Sequence, residues 1–430
     1  MHLRRSVSKA LSRTCILAMC PCFFFGCDAV PLGAPGSANQ RPTPSFADFP
    51  PVTDPVIEEV ADNSAFEFAQ PATLPVDGEF HIQGSIDSLS DIDLYAMGPA
   101  ERGDRITVDV SGSDGINTLV SLFDADMNII DANDDRSYYG GLLDPFVSLV
   151  LRQDTGNVYV GISLSSGQYF TSTQGRHPGA YNIRMQRKPS QTVRESTHQI
   201  VWLDFEGGDA VQIAQQPIEN MRPFSAESIS SRHSGKTDYI ANLVVQHMRR
   251  DVEGFNVTLV SSKESPEPGE LHSTLFFGNH NSSFLGLADS VDTGNNIAVQ
   301  EAIIYTEDLS RWESLSPTAE ETAMAIANIA SHELGHLLGM EHTNEAGDLM
   351  AIAASAGQVL DIDAVYRQAS LQSAVFPVGW QDSYALLLQN VGASHDGATA
   401  RVMLQDLLPA APPPRPNDLP INMCDRCCGH

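Results

Sequence analysis

Twelve consecutive residues constrain this chain more than any others: Ser331-His332-Glu333-Leu334-Gly335-His336-Leu337-Leu338-Gly339-Met340-Glu341-His342. His332 and His336 stand four positions apart, so on a helix both imidazoles leave one face, a single turn from each other. Zinc accepts neutral imidazole nitrogens at about 2.0–2.1 Å, and two from one helical turn suit its tetrahedral angle. Glu333 is rotated by about 100° from its neighbour, so it can reach a water beside the ion without ligating it. Gly339 ends the helix and permits a sharp turn, which brings His342 back as a third ligand. Three protein ligands leave a fourth position open, the mark of a catalytic rather than a structural site.

The residues in front agree with a helix. Ser316-Pro317 predicts a capping Ser with Pro at the first helical position, Glu320 and Glu321 lie near the positive helix end, and 322–338 lacks Pro.

The motif, followed by Met350 in Gly347-Asp348-Leu349-Met350, resembles the signature of the metzincin zinc endopeptidases, nearest the matrixin branch. The resemblance implies an α+β catalytic domain over 195–407, a twisted mixed sheet with the active-site helix beneath it. It also implies one catalytic Zn2+ on His332, His336 and His342, with Glu333 as general base and Met350 in a structural turn under the metal. Zinc would acidify its water and polarise the scissile carbonyl, while Glu333 moves the proton to the leaving amine. The substrate would be protein or peptide. Strands are expected at 198–205, 255–261, 271–278 and 298–305, with helices at 238–250 and 382–390. In the family, the strand before the active-site helix is an exposed edge that pairs with extended substrate. Here that is 298–305, with Gln300 and Ala302 among the candidate groups, unless a loop covers it. Ile352 stands where other metzincin branches carry a Tyr ligand, and 285–292 lacks the His of a structural-zinc loop. Neither a Tyr ligand nor a second zinc is therefore expected.

Residues 57–190 carry short alternating runs between turn signals, at 79–83, 94–97, 106–110, 119–123, 147–151, 158–162 and 180–185. That spacing predicts an antiparallel sandwich. Gly84-Ser85-Ile86, Asp91-Ile92-Asp93-Leu94-Tyr95 and Gly179-Ala180-Tyr181 resemble landmarks of the bacterial pre-peptidase C-terminal domain, which implies an all-β, jelly-roll-like module. Asp124, Asp126 and Asp134, with Asn128 and Asp135, could ligate Ca2+ or simply stabilise turns. The module is expected to fold alone and to be dispensable for chemistry.

The chain ends are of another character. Residues 1–27 read as a lipoprotein-type signal peptide: Arg4, Arg5, Lys9 and Arg13 precede an apolar run at 16–26 that is too short to span a bilayer. Phe24-Phe25-Gly26-Cys27 resembles a lipoprotein cleavage site, implying lipidation of Cys27, with plain secretory cleavage or an uncleaved anchor as alternatives. Residues 28–56 form a Pro-rich tether. In the Pro/Cys-rich tail, 408–430, Cys424, Cys427, Cys428 and His430 could bind metal, pair as disulfides or remain thiols. All seven cysteines lie in these end segments, so the folded body depends on core burial or bound metal. Against 25 Lys and Arg stand 54 Asp and Glu, a net charge of −29, which repels phosphate and speaks against nucleic acid. Membrane contact is expected only through the N-terminal lipid, and the location is the bacterial cell envelope or the exterior. The rival functions are a zinc hydrolase of non-protein amides and a non-catalytic lipoprotein adhesion module with a vestigial metal site. Retention of Glu333 argues against the second. His272, His280 and His395 are expected to be ordinary surface residues.

Overall fold

The computed structural model describes residues 56–60, 62–113, 115–136, 142–165, 175–213, 216–281, 283–352 and 355–394, together with 418, 421 and 423. Cys27, His395 and the tail cysteines lie outside them. Among the described residues no helix is long and apolar enough to cross a membrane.

Period-two alternation builds the first half. Along Glu79–Ile86, Phe80, Ile82 and Ile86 are buried while the residues between them are not, so one face of the strand points inward. The strand belongs to a five-stranded sheet in the order Val56–Glu58, Glu79–Ile86, Gly179–Lys188, Arg105–Gly112, Phe146–Val150. A second sheet runs Gln70–Pro71, Ile92–Ala96, Tyr159–Leu164, Thr118–Phe123, Ile129–Asn133. Ile82, Val108, Val110 and Ile183 of the first sheet share one core with Tyr95, Val120, Val160 and Ile162 of the second. Each such side chain contributes about 1.5–3 kcal/mol by leaving water.

The calcium expectation is not supported here. Asp124 Oδ1 accepts hydrogen bonds from the backbone N–H groups of Asp126 (2.9 Å) and Asn128 (2.8 Å), which is turn chemistry. Asp134 is buried and takes the Ser165 hydroxyl at 3.3 Å. Neither Asp124, Asp126 nor Asp134 joins a cluster able to hold an ion among the described residues.

The second half centres on a mixed sheet in the order Val257–Ser261, Gln199–Asp204, Ser273–Gly278, Glu301–Tyr305, Gly286–Ala288. The first four strands are parallel and the last is antiparallel. Leu275, Phe277, Ala302 and Ile304 face the helices Thr237–Asp251 and Ala319–Leu337 in one core. The intervening Phe276, Ile303 and Tyr305 pack on the other face with Val211 and Met221.

This order corrects the expected substrate edge. Glu301–Tyr305 is an interior strand: Ala302 pairs with both Leu275 and Ala288 and is fully buried. Gln300 is buried as well, its amide donating to Leu337 O (3.1 Å) and Asp292 Oδ2 (3.2 Å). The outermost strand is Gly286–Ala288, whose three residues are too few to show a period in sequence.

The two halves also share a core. Leu371, Val375 and Phe376 of the second half are buried with Ile92, Leu94, Leu119 and Phe123 of the sandwich. Phe376 and Phe123 meet edge to face at 5.3 Å. Around this core, Trp380 N–H donates to Met127 O (3.0 Å) and Gln368 Nε2 to Asn128 Oδ1 (2.7 Å).

Candidate metal centre

The helix Ala319–Leu337 begins two residues later than Ser316-Pro317 suggests. Thr318 is the cap: its hydroxyl accepts from Glu321 N (3.1 Å), and the Glu321 carboxylate accepts from Thr318 N (2.7 Å). This reciprocal pair satisfies two N–H groups that a helix start otherwise leaves bare. Ser316 instead takes a left-handed φ of 55° and ends the preceding short helix Thr306–Leu315. Ala, Ile and Leu dominate the helix interior, so its last two turns are wholly buried.

At its other end the backbone reverses by a Schellman turn: Met340 N–H donates to Gly335 O (3.0 Å) and Gly339 N–H to His336 O (2.9 Å). Gly339 has a φ of +92°, and a Cβ there would stand 2.6 Å from Asp292 O. Only Gly fits on both counts. The reversal carries His342 back beside the helix.

His332, His336 and His342 are all fully buried, and each offers a ring nitrogen within 4.8 Å of the others. Nε2 of His336 lies 3.1 Å from that of His332 and 3.0 Å from that of His342. Nδ1 of His332 lies 2.7 Å from Leu349 O, and Nδ1 of His336 lies 2.8 Å from Met340 O. A carbonyl can only accept, so both rings carry their hydrogen on Nδ1 and direct an Nε2 lone pair inward. Burial drives His332 down to about 4 and holds His336 and His342 well below the ordinary imidazole range. The rings are thus neutral and metal-ready at pH 7. Two nitrogens bound to a tetrahedral zinc stand roughly 3.3 Å apart, close to the spacings here. Without a cation, the inward lone pairs of His332 and His336 only repel. The donor set therefore fits zinc.

Glu333 is fully buried next to the triad, and burial lifts its carboxyl well above the usual range, opposed by a backbone hydrogen bond from Ala288. A cation nearby would favour the ionised form and restore a base. The carboxyl lies against the edge strand: a Cβ on Gly286 would fall 2.2 Å from Glu333 Oε1. Met350 is buried with its sulfur against Gly335 of the helix.

Several supports carried no signal in the sequence. Gln372 N–H donates to His342 O (3.0 Å), four residues before the Phe376 anchor in the shared core. The Gln381 amide clamps Glu341 at both N–H (2.7 Å) and C=O (2.8 Å). Arg152 of the sandwich donates to Gly294 O (2.6 Å), Gln389 O (2.9 Å) and Asn390 Oδ1 (3.1 Å), and Asn390 Nδ2 donates to Leu338 O (2.7 Å). Asp348, beside Met350, was visible only as part of a turn. Burial pushes it up to about 7, and it takes the Thr343 hydroxyl at 2.5 Å. Of the isolated histidines, His280 is exposed and meets buried Asp308, while His272 Nδ1 lies 2.8 Å from Glu270 O.

No curated protein matches the chain. The chain is similar to the solved pre-peptidase C-terminal domain of a collagenase from Bacillus anthracis, with 16% identity, 27% of this chain and 94% of that one covered, and a TM-score of 0.21. It is similar also to archaemetzincin from Methanopyrus kandleri, with 14% identity, 41% and 93% covered, and a TM-score of 0.25. Residues 279–365, which span the edge strand, the histidines and Met350, match the matrixin family model, and this segment is accordingly matrixin-like, of a zinc-peptidase type.

Proposed function

We propose that this chain is a zinc-dependent endopeptidase of the bacterial cell envelope, lipid-anchored at Cys27 or secreted. The observation that carries the reading is the convergence of three buried Nε2 atoms, that of His336 lying 3.1 Å from that of His332 and 3.0 Å from that of His342, beside a buried carboxyl. Zinc held by His332, His336 and His342 would supply a Lewis acid for the scissile carbonyl and acidify a water. Glu333 takes that water's proton and passes it to the leaving amine, a role that suits a carboxyl whose affinity for protons is raised by burial. The Leu349 and Met340 carbonyls fix the tautomers of His332 and His336, so that no ring must reorient when metal arrives. The backbone of Gly286–Ala288, at the sheet edge beside Glu333, suits main-chain pairing with an extended peptide.

The test is cleavage of a peptide library by the purified zinc-loaded chain. Turnover should vanish with a chelator and return with zinc. A fully zinc-loaded chain that cleaves no peptide but hydrolyses non-protein amides would move the assignment to the rival hydrolase.

A further inference from the structure

The outward side of the edge strand is already taken by this chain's own tail. Residues two apart on a strand point their backbone groups the same way. On Gly286–Ala288, Leu287 faces the interior strand, while Gly286 and Ala288 face outward. Ala288 supplies the backbone hydrogen bond to Glu333. The Gly286 N–H donates to Met423 O at 3.1 Å, and the Leu285 N–H reaches the same carbonyl at 3.2 Å. The group that holds Met423 is therefore about 7 Å along the strand from the one that holds Glu333. Met423 is 4% exposed. It is part of the second half's core and lines a cavity with Asn328, Leu349, Val359, Ile362 and Ala364, between the long helix, the Met350 turn and the helix Ala356–Asp361. Five residues earlier, the Asp418 carboxylate accepts from the Ser355 hydroxyl and from Gly357 N–H (2.6 Å). Ile421 packs on the same core.

We propose that the tail, through Asp418, Ile421 and Met423, is the resident occupant of the groove beside Glu333, and that it holds the groove closed to extended substrate. The inference rests on the endopeptidase reading for its consequence, but not for its binding. A peptide that pairs with the outward side of the strand needs the Gly286 N–H, which Met423 holds.

Three samples test this: the full chain, a chain ending at Asn417, and a full chain carrying Asp418→Ala with Met423→Ala. If the tail fills the groove nine-tenths of the time, its removal raises kcat/KM on a short peptide about tenfold. The double variant should rise part of the way, and it keeps the test open if truncation impairs folding. Free peptide 416–423 should inhibit the truncated chain by raising KM without lowering kcat. Folded variants with unchanged kcat/KM, and no inhibition by the peptide, would overturn the proposal. Should every zinc-loaded sample lack turnover, the endopeptidase reading fails instead. Binding then decides: labelled 416–423 should bind the truncated chain but not the full chain in fluorescence anisotropy, and absence of binding to the truncated chain would overturn the tail's role.

Discussion

In the sandwich, the Tyr181 hydroxyl lies 2.6 Å from Asp93 Oδ2 and 2.6 Å from the Tyr95 hydroxyl; in the second half, three imidazole nitrogens meet at 3.0–3.1 Å. Both clusters are buried, and both displace pKa values. Asp93 is pushed up to about 8, chiefly by burial, with Glu59 and Asp91 adding to it, while the imidazoles are pushed down. The difference lies in hydrogens. Hydroxyls and a protonated carboxyl can each pass a hydrogen to the next oxygen and complete a network. Two imidazoles whose hydrogens are committed to Leu349 O and Met340 O have only lone pairs left to share. A completed polar network specifies packing, whereas lone pairs without hydrogens require a cation.

The largest effect expected from breaking that contrast is at His342. His342→Ala deletes a ligand, so zinc content per chain and peptide turnover should fall together. Retained stoichiometric zinc would place the ion elsewhere. Next in size is the shared core. Phe376→Ala leaves a cavity against Phe123 and should lower unfolding stability by about 3–5 kcal/mol. Because Gln372 lies four residues away and holds His342 O, zinc affinity should weaken with it. If denaturation of the variant shows an unchanged second half with wild-type zinc binding, the sandwich is a separate module after all.

A smaller effect separates the two clusters by pH. The folded-state pKa values of His332, His336 and His342 lie below that of the unfolded chain, about 6.5. The unfolded chain therefore binds more protons, and metal-free stability should be lost as pH falls from about 6.5 towards 4. Asp93 has the opposite sign: its folded pKa of about 8 exceeds the unfolded value. Its share is complete at pH below the unfolded carboxyl range and is lost as pH rises through about 8. Across about 4–8 its slope opposes that of the imidazoles, so Asp93→Asn should remove the fall towards pH 8 and steepen the rise between about 4 and 6.5. Urea titrations across pH of wild type and variant read both limbs, and a flattened acid limb in Asp93→Asn would contradict the assignment.

How much of this was legible in the sequence depends on the range of the signal. The triad and the Gly339 turn follow from offsets within eleven residues, where helical geometry alone dictates which side chains meet. The alternating runs of the sandwich are equally local. The helix start is ambiguous in the sequence because Ser316 and Thr318 both suit a cap, and only the contact with Glu321 decides between them. The edge was assigned to Gln300 and Ala302 because a three-residue strand is invisible to periodicity. Phe376, Arg152 and Met423 left no trace, since each acts on residues more than a hundred positions away along the chain.

The account's central claim is that binding the metal and moving the proton are assigned to different side chains one peptide bond apart. Glu333→Ala, with zinc content and peptide turnover measured on the same sample, tests it most directly. Zinc should remain near one per chain while turnover falls by about 10²–10⁴-fold. Turnover at the wild-type rate, or loss of zinc with the glutamate, would contradict it.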